Sequence, residues 1–284
     1  MLGTSNVRNS KLKTAGIDPS VTHLPLPSSV SSLYSTSLNP DVSDDFNDTT
    51  VDFTKWQYRT DGTAKWGTNS DYVYIVQSGS DRFLTLKGNS TAGKGSGLSS
   101  RKTTKYGFYI VRWQVVGWTN NTANGWHPAV WGAGCDFSGS TIGNCIPEAS
   151  APDSHVLEAD FVEGMQGNPA WWSSHMLLWN AAAIYQNITF RPQSTIWPNT
   201  SWSTMGMEYN PNYIAVWEYS SGAWTKLKQV PISSAPTTQT NINSAYRTPL
   251  YWIFSNNRID STLITADSWL RLDYFYDYNY TGPI

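Results

Sequence analysis

Charge is scarce in this 284-residue chain: Asp, Glu, Lys and Arg make up only 14%, and 19 basic against 21 acidic side chains leave a net charge of −2. A nucleic-acid track or a polybasic membrane patch needs clustered cations that this balance does not supply, so the expected partner is neutral or weakly charged. No run of about 18 apolar residues occurs, which excludes a membrane-spanning helix. The four histidines, His23, His127, His155 and His175, show no H-x-x-x-H spacing and the two cysteines no C-x-x-C, so neither metal nor other cofactor is expected. Cys135 and Cys145 either form a disulfide or stay as free thiols. Closing their short loop would add about 2 to 3 kcal/mol in an oxidising compartment. Residues 1–16 lack the apolar centre of a signal peptide. Sequons beginning at Asn47, Asn89, Asn120, Asn187, Asn199 and Asn279 fit a secreted surface, although a chain rich in Asn, Ser and Thr makes several by accident.

Aromatic residues, by contrast, are plentiful. With 15 Trp and 16 Tyr the chain has more flat side chains than a core of this size needs, and the apolar faces of sugar rings lie well on such surfaces. The alternative is core packing, which claims most of them. Residues 1–40 are rich in Ser, Pro, Thr and Leu without periodicity and read as an extended arm or linker. From Asp44 onward short segments of Val, Ile, Tyr, Trp and Phe are broken by Gly, Asn, Asp and Pro, which is the all-β pattern. Tyr109, Val111, Trp113 and Val115 alternate with Ile110, Arg112 and Gln114, and similar alternation recurs over residues 213–219, 250–254 and 269–276. No sustained helical period appears; residues 176–184 alone admit a helix, with strand and turn as the equal alternative. One domain over residues 41–284, a two-sheet antiparallel sandwich with one sheet curved into a cleft, accounts for this.

The densest chemistry lies in His155-Val156-Leu157-Glu158-Ala159-Asp160-Phe161-Val162-Glu163-Gly164. On a strand, Leu157, Ala159 and Phe161 point to one face and Glu158 and Asp160 to the other. Glu163 breaks that parity, and one extra residue in a β-bulge restores it to the carboxylate face. The two Glu backbones are then about 13 to 15 Å apart along the strand, so side chains leaning together approach the roughly 5 to 5.5 Å of a retaining glycosidase pair. Asp160 between them helps push their pKa values apart. The alternative for the same residues is a solvated, acidic strand edge.

Several segments, in order, resemble the laminarinase, agarase and carrageenase side of glycoside hydrolase family 16. Ser43-Asp44-Asp45-Phe46-Asn47 with Phe53-Thr54-Lys55-Trp56 resembles its opening segment, and Gly97 to Arg101 followed by Tyr106 to Tyr109 its next strand pair. Gly125-Trp126-His127-Pro128-Ala129-Val130-Trp131 resembles its G-x-W-P-A-F-W, and Glu158 to Glu163 is an E-x-D-x-x-E. Met205 to Tyr209 with Tyr213-Ile214, and Leu272 to Phe275, resemble later strands. The resemblance implies a β-jelly roll of concanavalin A-like architecture with a concave substrate cleft. It implies a retaining, endo-acting enzyme with Glu158 as nucleophile, Asp160 as assisting acid and Glu163 as acid/base. His127 departs from the family's Trp before Pro, and Ala159 from its larger Ile or Val. Trp126 then either stacks on sugar in place of the missing ring or belongs to the core. His127, Trp131, Trp171 and His175 are further binding candidates, with an interior role as the alternative for Trp171 and His175.

The expected substrate is a β-linked polysaccharide, a red-algal galactan or a laminarin-type β-1,3-glucan, acted on outside the cell by a monomer. A heavily sulfated polymer would require arginines such as Arg247, Arg258 and Arg271 to cluster. The competing reading is a carbohydrate-binding, lectin-like module of the same fold without turnover, which gains little from three clustered carboxylates. A polysaccharide lyase on a similar jelly roll is a third class, for which no motif is present.

Overall fold

The computed structural model describes residues 23–117, 125–136, 138, 155–165, 171–180, 183–194, 201–232, 248–258 and 264–284. The strands are β1 (Trp56–Tyr58), β2 (Val73–Ser78), β3 (Asp81–Gly88), β4 (Ser96–Ser100), β5 (Gly107–Val116), β6 (Trp126–Ala133) and β7 (His155–Met165). They continue with β8 (Trp171–Asn180), β9 (Ala183–Ser194), β10 (Ser203–Tyr209), β11 (Tyr213–Ser220), β12 (Ala223–Pro231), β13 (Tyr251–Arg258) and β14 (Ser268–Asn279). Two seven-stranded sheets result, ordered β1-β4-β13-β6-β7-β8-β9 and β12-β11-β10-β5-β14-β3-β2. The pairings are antiparallel, and the chain repeatedly crosses from one sheet to the other, as from β4 to β5 and back to β6. This is the jelly-roll sandwich expected from the alternating segments.

The alternation decides what each sheet buries. In β5, Tyr109, Val111, Trp113 and Val115 enter the core between the sheets, while Phe108 and Ile110 face outward. Facing them from the first sheet are Trp56, Val130, Phe161, Trp252 and Phe254. Rings interlock there: Tyr109 to Trp252 at 4.3 Å, Trp56 to Phe254 at 4.8 Å and Trp252 to Phe275 at 5.3 Å between centroids. Tilted ring pairs of this kind add about 0.5 to 1.5 kcal/mol each beyond the area they bury. β14 keeps Leu270, Leu272 and Phe275 in that core although the spacing changes parity, because its register on β5 shifts between Leu272 and Tyr274.

The outer face of the second sheet is also dry. Leu24, Leu26, Val30, Leu33, Tyr34 and Leu38 lie over Phe108, Ile110, Trp217, Tyr276 and Tyr278. A fully buried carboxylate, Glu208, anchors this layer by accepting from the hydroxyls of Tyr34 (3.0 Å) and Tyr213 (2.6 Å) and from the Trp217 indole N–H (3.2 Å). Three donors on one buried carboxylate replace its lost hydration.

Candidate active site

The bulge required by the three acids is present in β7. Opposite β6, Asp160 pairs with Trp131, Val162 with Val130 and Glu163 with Ala129, so Phe161 is the extra residue. Opposite β8, Asp160 pairs with His175 and Glu163 with Ser173. Leu157, Ala159, Phe161 and Val162 all enter the core. The other face of the same strand carries Glu158, Asp160 and Glu163. Ser174 fastens the irregularity: its buried hydroxyl donates to the Phe161 carbonyl at 2.5 Å. Sequence reading missed Ser174, and no feature of the motif singles it out.

Asp160 is the electrostatic centre of the trio. It is 1% exposed, and its Oδ2 is buried without a hydrogen-bond partner. Burial pushes its carboxyl well above the usual carboxylate range, and the charges of Glu158 and Glu163, with a hydrogen bond shared with Glu158, push it further. Three neighbouring anions in a dry place are untenable, so the most buried carboxyl keeps its proton. A proton held on Asp160 makes it the donor in its hydrogen bond with Glu158. Because both glutamates act on it, the bulge has gathered all three acids into one electrostatic unit.

The remaining sequence candidates separate by face. His127 lies on the carboxylate face, with Nε2 2.8 Å from Glu163 Oε1, a close contact whose geometry falls short of a hydrogen bond. Trp131 is on that face too, in a small cluster with Ala129, Ala133 and Ile253 that is separate from the main core. Its indole N–H donates to Ser255 Oγ at 3.3 Å. Trp126 corrects the stacking proposal. It is fully buried in the main core, its indole N–H donates to the Ala266 carbonyl at 2.9 Å, and its ring packs against Gly88, where a Cβ would come within 2.8 Å. Trp171 and His175 pair in the backbone ladder with Met165 and Asp160, but their side chains lie outside the described residues.

Two further aromatic and cationic residues join the site without any warning from the sequence. Arg59, just beyond β1, places its guanidinium 4.6 Å from the Trp66 ring centroid and 4.9 Å from that of Trp131. Of the arginines considered for sulfate recognition, Arg258 sits in β13 of the first sheet and donates to the Gly93 carbonyl at 2.7 Å, whereas Arg271 is in β14 of the second. Those two do not cluster, and Arg247 lies outside the described residues. Cys135 is disulfide-bonded; Cys145, the chain's other cysteine, also lies outside them.

No family model and no curated protein matches the chain by sequence. Solved structures match it by fold. LamAcat from Zobellia galactanivorans gives a TM-score of 0.59 at 18% identity, over 86% of this chain and 98% of that one. The laminarinase from Rhodothermus marinus gives 0.61 at 16% identity, over 88% and 98%. A glycoside hydrolase family 16 endo-glucanase from Bacteroides ovatus gives 0.57 at 15% identity, over 83% and 98%. The architecture is thus the one these enzymes share, in keeping with the family resemblance of the motifs.

Proposed function

We propose that this chain is a family 16 glycoside hydrolase that cuts internal β-glycosidic bonds of a polysaccharide and retains the anomeric configuration. The observation that carries the reading is the buried Asp160 on a bulged strand, its carboxyl pushed well above the usual range by burial and by the charges of Glu158 and Glu163. A binding module has no use for that arrangement, whereas a double displacement needs one ionised and one protonated carboxyl side by side.

In the first step Glu163 gives its proton to the glycosidic oxygen while a Glu158 oxygen attacks the anomeric carbon. The C–O bond to the leaving sugar breaks, and a glycosyl ester to Glu158 forms. In the second step Glu163, now a carboxylate, takes a proton from water, whose oxygen displaces Glu158 from the anomeric carbon. Asp160 holds Glu158 in place through the shared proton and relieves the repulsion between the acids. His127, against Glu163, bears on the group that gives and then takes the proton.

The substrate class is a laminarin-type β-1,3-glucan or a galactan of low charge. Overall charge balance and the separation of Arg258 from Arg271 speak against dense sulfation. A disulfide at Cys135 suits an oxidising compartment and supports an extracellular monomer acting on polymer. Reducing-end release from laminarin, mixed-linkage glucan, agarose, porphyran and carrageenan by the wild type and by Glu158→Gln tests the assignment. The substitution is expected to lower turnover by at least about 10³-fold. Turnover that survives it refutes the nucleophile, and binding to a polymer without cleavage favours the lectin-like module.

A further inference from the structure

The sequence between β1 and β2 supplies a cation that takes no part in the two chemical steps. Arg59 leaves the edge strand and lies over the first sheet, its stem crossing Gly97 of β4. A Cβ there would stand 3.1 Å from Arg59 Cβ and 3.3 Å from Cδ, so the glycine makes room for the stem. The guanidinium then settles on the rings of Trp66 and Trp131, each only 5% exposed. Trp131 is the β6 partner of Asp160, and two residues on, Ala133 is the partner of Glu158. A planar cation on two indole faces is held far more rigidly than an ammonium on a flexible stem.

From this placement we infer that Arg59 is a positioning residue of the active site, whose fixed charge keeps Glu158 ionised while its neighbouring acids hold protons. The inference rests on Glu158 being the nucleophile. The physical need for such a cation is clear. Asp160 sheds its charge by protonation, and Glu163 must be protonated to act as the acid, so the remaining negative charge sits on Glu158 in a poorly solvated place. Without a counter-charge, burial drives that carboxylate to take up a proton as well. Burial brings the guanidinium down to about 10, against the opposing charges of Glu158 and Asp61, so Arg59 remains a cation throughout the neutral range. The coupling is reciprocal: a carboxylate that favours the charged arginine is itself favoured by it.

The other charges around the site are committed elsewhere or act on other groups. Asp61, beside Arg59, is paired with Lys65 at 2.8 Å. His127 faces Glu163 from β6. Asp136, beyond β6, accepts from Gln57 Nε2 at 3.1 Å. Asp160 and Glu163 share the strand with Glu158, and His175 is opposite Asp160 on β8.

The chain contains five glutamates, few enough to titrate individually by carboxyl carbon NMR on protein labelled at Glu Cδ, with Glu158→Gln identifying its own signal. In Arg59→Met the Glu158 midpoint should rise by about one pH unit, while Arg59→Lys keeps most of the wild-type value. The acid limb of kcat/KM, on the polysaccharide that the wild type cleaves, should move up with it. Thermal melts check folding, and Arg59→Gln serves where the Met variant does not fold. A Glu158 midpoint that stays put, with activity lost only through stability, overturns the inference. Turnover surviving in Glu158→Gln sinks the nucleophile assignment instead, and the titration still reports whether the cation and this carboxyl are coupled.

Discussion

Replacing Asp277 by Asn should remove a pH dependence of stability that one buried carboxyl imposes on the whole sandwich. Asp277 in β14 is fully buried, and its Oδ2 accepts from Asn39 Nδ2 at 2.8 Å, while Oδ1 has no hydrogen-bond partner. Burial raises this carboxyl from 3.8 to about 7, with the Asn39 bond opposing. The folded state therefore binds the proton more tightly than the unfolded chain. Stability from this group is complete below about pH 4 and is lost as pH rises through the folded value near 7. At about 1.4 kcal/mol per unit, the displacement corresponds to about 4 kcal/mol as an upper figure. The amide introduced by Asp277→Asn keeps an acceptor for Asn39 and carries no charge at any pH. It does place a buried NH₂ where Oδ1 stood, at a constant cost of about 1 to 3 kcal/mol. Urea unfolding followed by tryptophan fluorescence, at intervals from about pH 4 to 8, gives the difference between wild type and variant. That difference should swing toward the variant by several kcal/mol across the range. A difference that stays level with pH would refute the argument that burial holds a proton on Asp277.

Two other outcomes follow from bonds described above. Ser174→Ala removes the hydroxyl that holds the Phe161 carbonyl and should cost about 1 to 2 kcal/mol of stability; steady-state kinetics should show kcat lowered roughly tenfold, because Glu163 loses its placement. An unchanged kcat means that the bulge stands without this bond. Tyr34→Phe withdraws one of three donors from Glu208 and should lower stability by about 1 to 2 kcal/mol in denaturant titrations while leaving kcat at room temperature as it was; a matching loss of kcat would show that the N-terminal layer acts on the carboxylate face.

The fold and its acidic centre are legible in the sequence because both depend on parity along single strands. Glu158, Asp160 and Glu163 are on one face only if a residue is inserted between the last two, and the structure places that residue at Phe161. The same parity rule separates the two tryptophans of β6. Trp126 and Trp131 are five residues apart on a strand whose pairing with β13 runs without a shift, so they face opposite ways. Only Trp131 reaches the carboxylate face. Arg59 is beyond the reach of sequence for another reason: β4, β13 and β6 lie between its strand and β7, and no local pattern reports what a side chain meets three strands away. Ser174 is hidden similarly, since one hydroxyl in an Asn-, Ser- and Thr-rich chain gains meaning only when the bulge opposite it is known.

The segment over the back of the sandwich changes what a shortened version of this protein would be. A chain begun at residue 41 would lack Tyr34 and the leucines before and after it, and would turn Phe108, Ile110, Trp217, Tyr276 and Tyr278 out to water. That is a continuous greasy plate on a flat β surface, the kind that self-associates. It would also strand the Glu208 carboxylate with one fewer donor. Whoever trims the front of this sequence to isolate the sandwich should expect precipitate, and should place the cut before His23 rather than after Asn39.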